Sequence, residues 1–129
     1  MLVVDASVLA PVVADAGDDG RRFRTRLRSE VILGPDLLRL EVVSVLRRHA
    51  RRGALSDEQV DLALRETLAF PVVVYPTTPL LPRVWDLRHN VSAYDGCYVA
   101  LAEVADCPLV TADHRLAGAP GIRCAVEVL

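Results

Sequence analysis

The chain has 129 residues, the length of one ordinary domain, and its 52% hydrophobic and 25% charged content excludes a disordered protein. The formal net charge is −2, so net charge by itself does not indicate a nucleic-acid binder. The three scattered cysteines, Cys97, Cys107 and Cys124, exclude a disulfide framework and a zinc site, and we expect free thiols in a reducing cytosol.

The chain begins with a short apolar run, 2–4, that predicts a buried strand. Asp5 interrupts this run and no positive region precedes it, so we expect no signal peptide and a cytoplasmic protein. No apolar run is long enough to span a membrane. An apolar helix is predicted over 6–14, a loop over 15–20 and a short polar helix over 22–28.

The second predicted strand is 31–33, closed by Gly34 and Pro35. Asp36 is expected to cap a long helix that ends at Gly53. Arginines lie in the last turns of this helix, where the helix dipole favours positive charge.

The following segments continue the alternation of helices and strands. Ser56 and Gln59 have the spacing of a capping box, which predicts an amphipathic helix over 57–68. Strands are predicted over 72–75, 109–111 and 123–128, with helices from Pro79 or Leu80 to Arg88 and from Ser92 to about Asp106.

These elements predict an α/β fold, a three-layer sandwich with a central, mainly parallel sheet. The strands are short apolar runs without polar alternation, as expected when helices cover both faces of a sheet. No internal repeat, low-complexity segment or composition shift divides the chain, so we expect a single domain over 1–129.

Two carboxylates directly follow apolar strands. Asp5 follows the strand at 2–4, and Asp113 follows the strand at 109–111. In open parallel sheets, ligands bind at the carboxyl ends of the strands. The alternative is local: Asp5 is a favoured N-cap for the helix at Ala6, and Asp113 can end a strand in an ordinary turn.

Two further carboxylates fall on apolar faces of predicted helices. The neighbours of Glu41 one turn away are Leu37, Leu38, Ser44 and Val45. A lone buried carboxylate is costly unless it is paired or bound to metal. Asp95 shares its face with several apolar residues and also stands three residues after Ser92, so a reciprocal cap is the alternative. For Glu41 the alternative is a rim position in contact with water.

Taken together, the four carboxylates predict one metal site. Two unit charges about 4 Å apart repel by about 4 kcal/mol at an effective dielectric constant near 20. Four such groups in one crevice therefore need a cation, and carboxylate oxygens suit Mg²⁺ or Mn²⁺. These ions favour phosphoryl-transfer chemistry, in which they activate water and neutralise charge on the phosphate.

Nearly the whole chain resembles PIN domains, and specifically the compact VapC-type toxins of bacterial toxin–antitoxin pairs. The resemblance rests on Glu41 and on the segments Val3-Val4-Asp5-Ala6-Ser7, Asn90-Val91-Ser92-Ala93-Tyr94-Asp95 and Leu109-Val110-Thr111-Ala112-Asp113, in this order. The family implies Mg²⁺ or Mn²⁺ dependence, endonuclease cleavage of RNA, a homodimer and a cognate antitoxin protein.

The same resemblance implies roles for particular residues. Asp5 and Asp95 correspond to the main metal ligands, and Glu41 and Asp113 to further acidic members of the site. Ser7, close to Asp5, and Thr111, close to Asp113, are expected as supporting polar residues. The four acidic positions of the family are all present in this sequence.

All 15 basic residues are arginines, and nine of them form two clusters, over 21–28 and 47–52. Local arginine clusters can bind phosphates on a mildly acidic protein, although a solvated helix face is the simpler explanation. The aromatic residues Trp85 and Tyr94 are expected in the core, and for Tyr94 the alternative is stacking on a base.

The same residues argue against two other classes of protein with an acidic site. A phosphoacceptor receiver domain normally needs a lysine near its acidic site, and this chain has none. A haloacid-dehalogenase-like phosphatase needs a second aspartate two residues after the first, where this chain has Ser7. A non-catalytic interaction module and a DNA-directed enzyme of the same fold remain the open alternatives.

Overall fold

Five parallel strands form one sheet in the computed structural model of the protein, which describes residues 1–129. The strands are β1 (Leu2–Val4), β2 (Ile32–Pro35), β3 (Val73–Tyr75), β4 (Leu109–Thr111) and β5 (Val126–Val128). The helices are α1 (Ala6–Ala14), α2 (Asp18–Leu27), α3 (Leu38–Arg51), α4 (Asp57–Ala69), α5 (Leu81–Asp86, after a 3₁₀ turn at Thr78–Leu80), α6 (Ala93–Val104) and α7 (His114–Ala117).

The strand order places a crevice beside β1. The sheet has the order β3-β2-β1-β4-β5, and every neighbouring pair is parallel. The chain moves from β1 to one edge of the sheet and then returns to the other side of β1, so the order reverses between β1 and β4. Ligands bind at such a switch point, at the carboxyl ends of the strands. The predicted α/β class with a mainly parallel sheet is confirmed.

Burial of the strands explains their sequences. The three central strands β1, β2 and β4 are buried throughout, whereas β3 and β5 at the edges are exposed or half-buried. Helix α1 packs against α2, α3 and α4, while α6 packs against α5 and the strands β1, β2 and β4. Central strands covered in this way have no solvent face, and so they carry no polar alternation.

The predicted beginning of the long helix is wrong. Helix α3 begins at Leu38, and Asp36 does not cap it. The Asp36 carboxylate instead accepts a hydrogen bond from the Thr77 hydroxyl, and its backbone N–H donates to the Tyr75 carbonyl oxygen at 2.8 Å. The end of β2 is thereby joined to the end of β3, a long-range contact that local cap preferences cannot indicate.

Several other boundaries also differ from the prediction. Helix α2 begins at Asp18, inside the predicted loop. Gly34 and Pro35 belong to β2 instead of closing it. A Cβ added at Gly34 would lie 2.5 Å from the end of the Leu38 side chain at the start of α3, so a larger residue at position 34 would have to displace that side chain. Strand β5 spans only its last three predicted residues, and the short helix α7 was not predicted.

The expectation of core positions for Trp85 and Tyr94 is wrong. Their side chains are 67% and 62% exposed. The guanidinium of Arg88 lies 4.7 Å from the ring centroid of Trp85, on the outer face of α5. The capping box of Ser56 and Gln59, in contrast, is present at the start of α4. Among the helices, none is both long and apolar enough to cross a bilayer.

Candidate functional site

An open cleft of about 1180 Å³ lies at the carboxyl ends of β1 and β4. Residues from α1, from α3, from the first turn of α6 and from the segment after β4 line it. All four acidic residues singled out in the sequence are among them: Asp5, Glu41, Asp95 and Asp113. The switch point of the sheet and the acidic residues therefore coincide.

Asp5 lies at the base of the cleft, directly after β1, and is only 6% exposed. One carboxylate oxygen, Oδ1, accepts hydrogen bonds from the backbone N–H groups of Ser7 and Val8 at 2.9 and 3.3 Å, so Asp5 does cap α1. Burial raises the pKa of Asp5, and the hydrogen bonds that it accepts, chiefly from the side chains of Ser7 and Thr111 and then from these backbone groups, partly offset that effect. The capping role and a place in the acidic cleft are thus both present.

The hydroxyls of Ser7 and Thr111 surround the same carboxylate. Ser7 Oγ donates to Asp5 Oδ1 and Thr111 Oγ1 donates to Asp5 Oδ2, both at 2.5 Å. These hydroxyls in turn accept from the backbone, Ser7 Oγ from Ala112 N at 2.8 Å and Thr111 Oγ1 from Asp113 N at 3.0 Å. This network joins the end of β1 to the end of β4 and orients Asp5.

Glu41 reaches the cleft from α3 and is half-buried. The Tyr98 hydroxyl of α6 donates a hydrogen bond to Glu41 Oε2. Burial raises the pKa of Glu41, the hydrogen bond from Tyr98 opposes that effect, and the negative charges of Asp95 and Asp5 raise it further. The repulsion indicates that these three carboxylates are close enough to influence one another.

Asp95 lies in the first turn of α6 and forms a reciprocal cap with Ser92. Ser92 Oγ donates to Asp95 Oδ2 at 2.8 Å and accepts from Asp95 N at 3.1 Å. The reciprocal cap that was the alternative role for Asp95 is therefore present, and the half-buried side chain also lines the cleft. The cap engages Oδ2, and Oδ1 has no hydrogen-bond partner within the protein.

Asp113 is held by an arginine two residues later. Arg115 donates to the Asp113 carboxylate from Nε at 3.0 and 3.1 Å and from Nη2 at 2.6 Å, and its backbone N–H donates at 2.9 Å. These hydrogen bonds lower the pKa of Asp113. Arg115 is 89% exposed at its side chain, so the fourth carboxylate is partly neutralised at the rim of the cleft.

The donor chemistry of the cleft suits a hard divalent cation. Carboxylates and hydroxyls supply only oxygen atoms, and the raised pKa values of Asp5 and Glu41 show that negative charge is disfavoured there without a cation. As the side chains stand, no three acidic, histidine or cysteine residues lie close enough to hold one ion. Magnesium keeps several water ligands and needs only one or two carboxylates, so this wider arrangement fits it.

The two arginine clusters differ in their partners. In the cluster at 21–28, Arg21 and Arg22 pair with aspartates of the same helix, and Arg26 pairs with Glu30 and Glu127. In the cluster at 47–52 no arginine forms an ion pair, and Arg47 and Arg48 line the acidic cleft. The second cluster therefore has the more available positive charge.

Sequence reasoning did not assign a role to Tyr98 or Arg115. Tyr98 is one turn after Asp95 on α6, so its hydroxyl is expected on the same helix face as the Asp95 carboxylate, and this spacing could have indicated a role in the site. Arg115 follows Asp113 by two residues, which is close enough for a local pair, but only the start of α7 after β4 turns it back onto the carboxylate.

Comparison with known proteins gives a family and close relatives. The family model described as PIN domain matches residues 2–122. Ribonuclease VapC1 of Mycobacterium tuberculosis is 40% identical, with 98% of this chain and 96% of the relative covered. Ribonuclease VapC3 of the same organism is 38% identical over 92% of this chain and 86% of its own length.

Solved structures with similar folds include PAE2754 from Pyrobaculum aerophilum. It has a TM-score of 0.71 and 24% identity, with 98% of this chain and 83% of that chain covered. Mycobacterium tuberculosis VapC20, described as a sarcin-ricin loop cleaving toxin, has a TM-score of 0.67 and 21% identity over 95% of this chain and 99% of its own. At these identities the likeness concerns the fold.

Proposed function

The chain belongs to the PIN-domain family, and on this premise we propose that it is a metal-dependent endoribonuclease. It acts as the toxin of a type II toxin–antitoxin pair and hydrolyses RNA phosphodiester bonds at the acidic cleft. The ribonuclease names of relatives that are 38–40% identical over most of their length support the RNA substrate and the toxin role.

One observation carries the assignment of the site. Glu41 comes from α3 and Asp95 from α6, yet both line one cleft with Asp5, and the charges of Asp95 and Asp5 raise the pKa of Glu41. Three elements distant in sequence thus bring like charges together at the switch point of the sheet, where ligands bind. Such an arrangement is destabilising by itself and is typical of functional sites.

The proposed metal ligands are Asp5 and Asp95, with Glu41 and Asp113 as further acidic members of the site. A bound Mg²⁺ or Mn²⁺ would lower the pKa of a ligated water and neutralise charge on the phosphate. Ser7 and Thr111 hold the Asp5 carboxylate between β1 and β4. Arg115 keeps Asp113 ionised at the rim, because its hydrogen bonds lower the pKa of that carboxyl.

The proposed partners are a cognate antitoxin and a second copy of the chain. An antitoxin would block the cleft most directly by presenting a cation to the carboxylates, and an arginine can bridge two of them with its planar fork. Structural neighbours that include VapBC2 from Rickettsia felis, in a complex with promoter DNA, support a partner of this kind. The homodimer is tested by light scattering on the purified chain.

The test of the function is cleavage of purified total RNA. We expect cleavage with Mg²⁺ or Mn²⁺ and none with a chelator, and Asp95→Asn should abolish it. Exposed Asp61→Asn on α4 is the matched control and should cleave like the wild type. Cleavage of DNA but not RNA would support the DNA-directed alternative. Absence of all cleavage by a folded protein would support a non-catalytic module and would contradict the proposal.

A further inference from the structure

Tyr98 is a buried polar residue between the two sides of the acidic cleft. It lies on α6, one turn after Asp95, and is 2% exposed. Its hydroxyl donates to Glu41 Oε2 on α3, and Glu41 accepts no other hydrogen bond within the protein. A single hydroxyl therefore supplies all the internal hydrogen bonding of this carboxylate.

The two ends of this hydrogen bond differ in their freedom to move. Tyr98 is followed on α6 by four fully buried residues, Val99–Ala102, and α6 packs against β1, β2 and β4, so its hydroxyl has a well-defined place. Glu41 has a flexible side chain that reaches the cleft from α3. Repulsion by Asp95 and Asp5 would favour rotation of this carboxylate towards water.

We propose that Tyr98 is a positioning residue that holds the Glu41 carboxylate in the cleft for a divalent cation. The proposal rests on the proposed metal-dependent function. Oε2 accepts the tyrosine hydroxyl, and Oε1 has no partner within the protein, which leaves it for the metal or for a metal-bound water. Tyr98 does not itself contact the metal or the RNA; it acts through Glu41.

The experiment measures Mn²⁺ affinity by the electron paramagnetic resonance signal of free Mn²⁺, with no RNA present. The full chain is compared as wild type, Tyr98→Phe, Glu41→Gln and the double variant. Loss of an outer hydrogen-bond partner of a metal ligand typically costs about 10- to 100-fold in metal affinity. We therefore expect Tyr98→Phe to weaken Mn²⁺ binding by about 10-fold.

The double variant separates a positioning role from a general structural one. If Tyr98 acts through Glu41, removing its hydroxyl should weaken Mn²⁺ binding no further in the Glu41→Gln background. Excess Mn²⁺ should restore most RNA cleavage to Tyr98→Phe but not to Glu41→Gln. Tyr75→Phe removes the same atom from an exposed tyrosine of β3 and should bind Mn²⁺ like the wild type.

A second measurement needs no substitution at Tyr98. The chain has three tyrosines, so ¹³Cζ-labelled tyrosine gives three signals. Tyr75→Phe and Tyr94→Phe assign two of them, and the third belongs to Tyr98. Titration with Mg²⁺ should shift the Tyr98 signal in the wild type, because the metal draws charge from Glu41. The shift should be absent in Glu41→Gln, and this result stands even where Tyr98→Phe does not fold.

Three results would overturn the proposal. They are an unchanged Mn²⁺ affinity in a folded Tyr98→Phe, additive losses in the double variant, and a Tyr98 signal that does not respond to Mg²⁺. If the wild type cleaves RNA and binds Mn²⁺ when one of these is observed, only the role of Tyr98 fails. If the wild type binds no Mn²⁺, the proposed metal site fails together with it.

Discussion

The Asp5 side chain combines a structural and a chemical role. Its oxygens accept hydrogen bonds that start α1 and join β1 to β4, yet its burial disfavours its charge. Asp5→Asn keeps the shape of the side chain and removes the charge. The hydroxyls of Ser7 and Thr111 can rotate to accept as well as donate, so the variant should fold.

The first prediction concerns metal and stability in this variant. Binding of Mg²⁺ or Mn²⁺ to the native state alone should stabilise the wild type and raise its melting temperature. At an ion concentration 100 times the dissociation constant, the stabilisation is about 2.7 kcal/mol. Asp5→Asn should lose most of this rise and all RNA cleavage. Thermal melts with and without the ion measure it, and an unchanged response would show that the cation binds elsewhere.

The second prediction concerns pH in the absence of divalent ions. The pKa of Asp5 is raised in the folded protein, so the stability that its protonated form contributes is fully present below the unfolded pKa, near 3.9. It is lost as pH rises through the folded value. The free energy of unfolding of the wild type, relative to Asp5→Asn, should therefore fall as pH rises.

Urea unfolding in a chelator, at steps between about pH 3.5 and 7, measures this difference. At neutral pH, saturating Mg²⁺ should turn the wild type from the less stable into the more stable of the two proteins, because the ion stabilises the ionised carboxylate. A difference that stays constant across the range would mean that burial does not disfavour the Asp5 charge.

Helix α3 supplies both an acidic and a basic part of the cleft. Glu41 lies near its beginning, and Arg47 and Arg48 line the cleft two turns later without ion-pair partners. An RNA strand with its scissile phosphate near the carboxylates would place neighbouring phosphates along this helix. The arginines of α2, in contrast, are largely paired within the protein.

The third prediction follows from this difference between the helices. Arg47→Gln with Arg48→Gln should weaken RNA binding. The slope of the logarithm of the binding constant against the logarithm of the salt concentration should become shallower by about one unit for each arginine that contacts a phosphate. Arg21→Gln with Arg22→Gln is the matched control and should leave the slope unchanged. Binding is measured with the inactive Asp95→Asn protein at several salt concentrations. Equal slopes in all variants would favour a solvated helix face.

The fourth prediction concerns the ion pair that holds edge strand β5 to α2. Arg26 donates to both Glu127 oxygens, at 2.7 and 2.8 Å, and the hydrogen bond from Arg26 lowers the pKa of Glu127. The stabilisation is present above the unfolded pKa, near 4.3, and is lost as pH falls through the folded value.

Glu127→Gln should therefore lower the free energy of unfolding at pH 7 and have little effect near pH 3. Because both side chains are about one-third exposed, solvent screening limits the loss to about 1 kcal/mol. Chemical denaturation at the two pH values tests it, with exposed Glu66→Gln as the control. A loss that does not change with pH would mean that packing, and not charge, is what Glu127 contributes.

For the molecule in its cell, the fifth prediction is toxicity that depends on the cleft. Expression of the wild-type chain alone should arrest growth, while Asp95→Asn, with the same fold, should not. Co-expression of the antitoxin should restore growth, and excess Mg²⁺ should weaken inhibition by the purified antitoxin, because cation and inhibitor compete for the same carboxylates. Normal growth with abundant folded wild-type protein would contradict the toxin role.

Local physical rules in the sequence determined most elements of the fold. The spans of β1, α1 and β4 agree with the prediction, and the capping box of Ser56 and Gln59 does begin α4. Apolar runs without alternation predicted a covered parallel sheet because strands buried on both faces have no polar side. The sequence also indicated which carboxylates to compare, since each stands next to apolar residues.

Only the tertiary structure decided how these parts meet. Asp36 binds Thr77 instead of capping α3, because a partner distant in sequence replaces the local preference. Trp85 is exposed because its neighbour Val84 is the residue of α5 that is buried against α6. The strand order puts the end of β1, with Asp5, beside the end of β4, from which Asp113 follows, and the packing of α6 puts Tyr98 against Glu41, 57 residues away. Spacing along a chain predicts helices and strands, but the convergence of their ends depends on which strands pair.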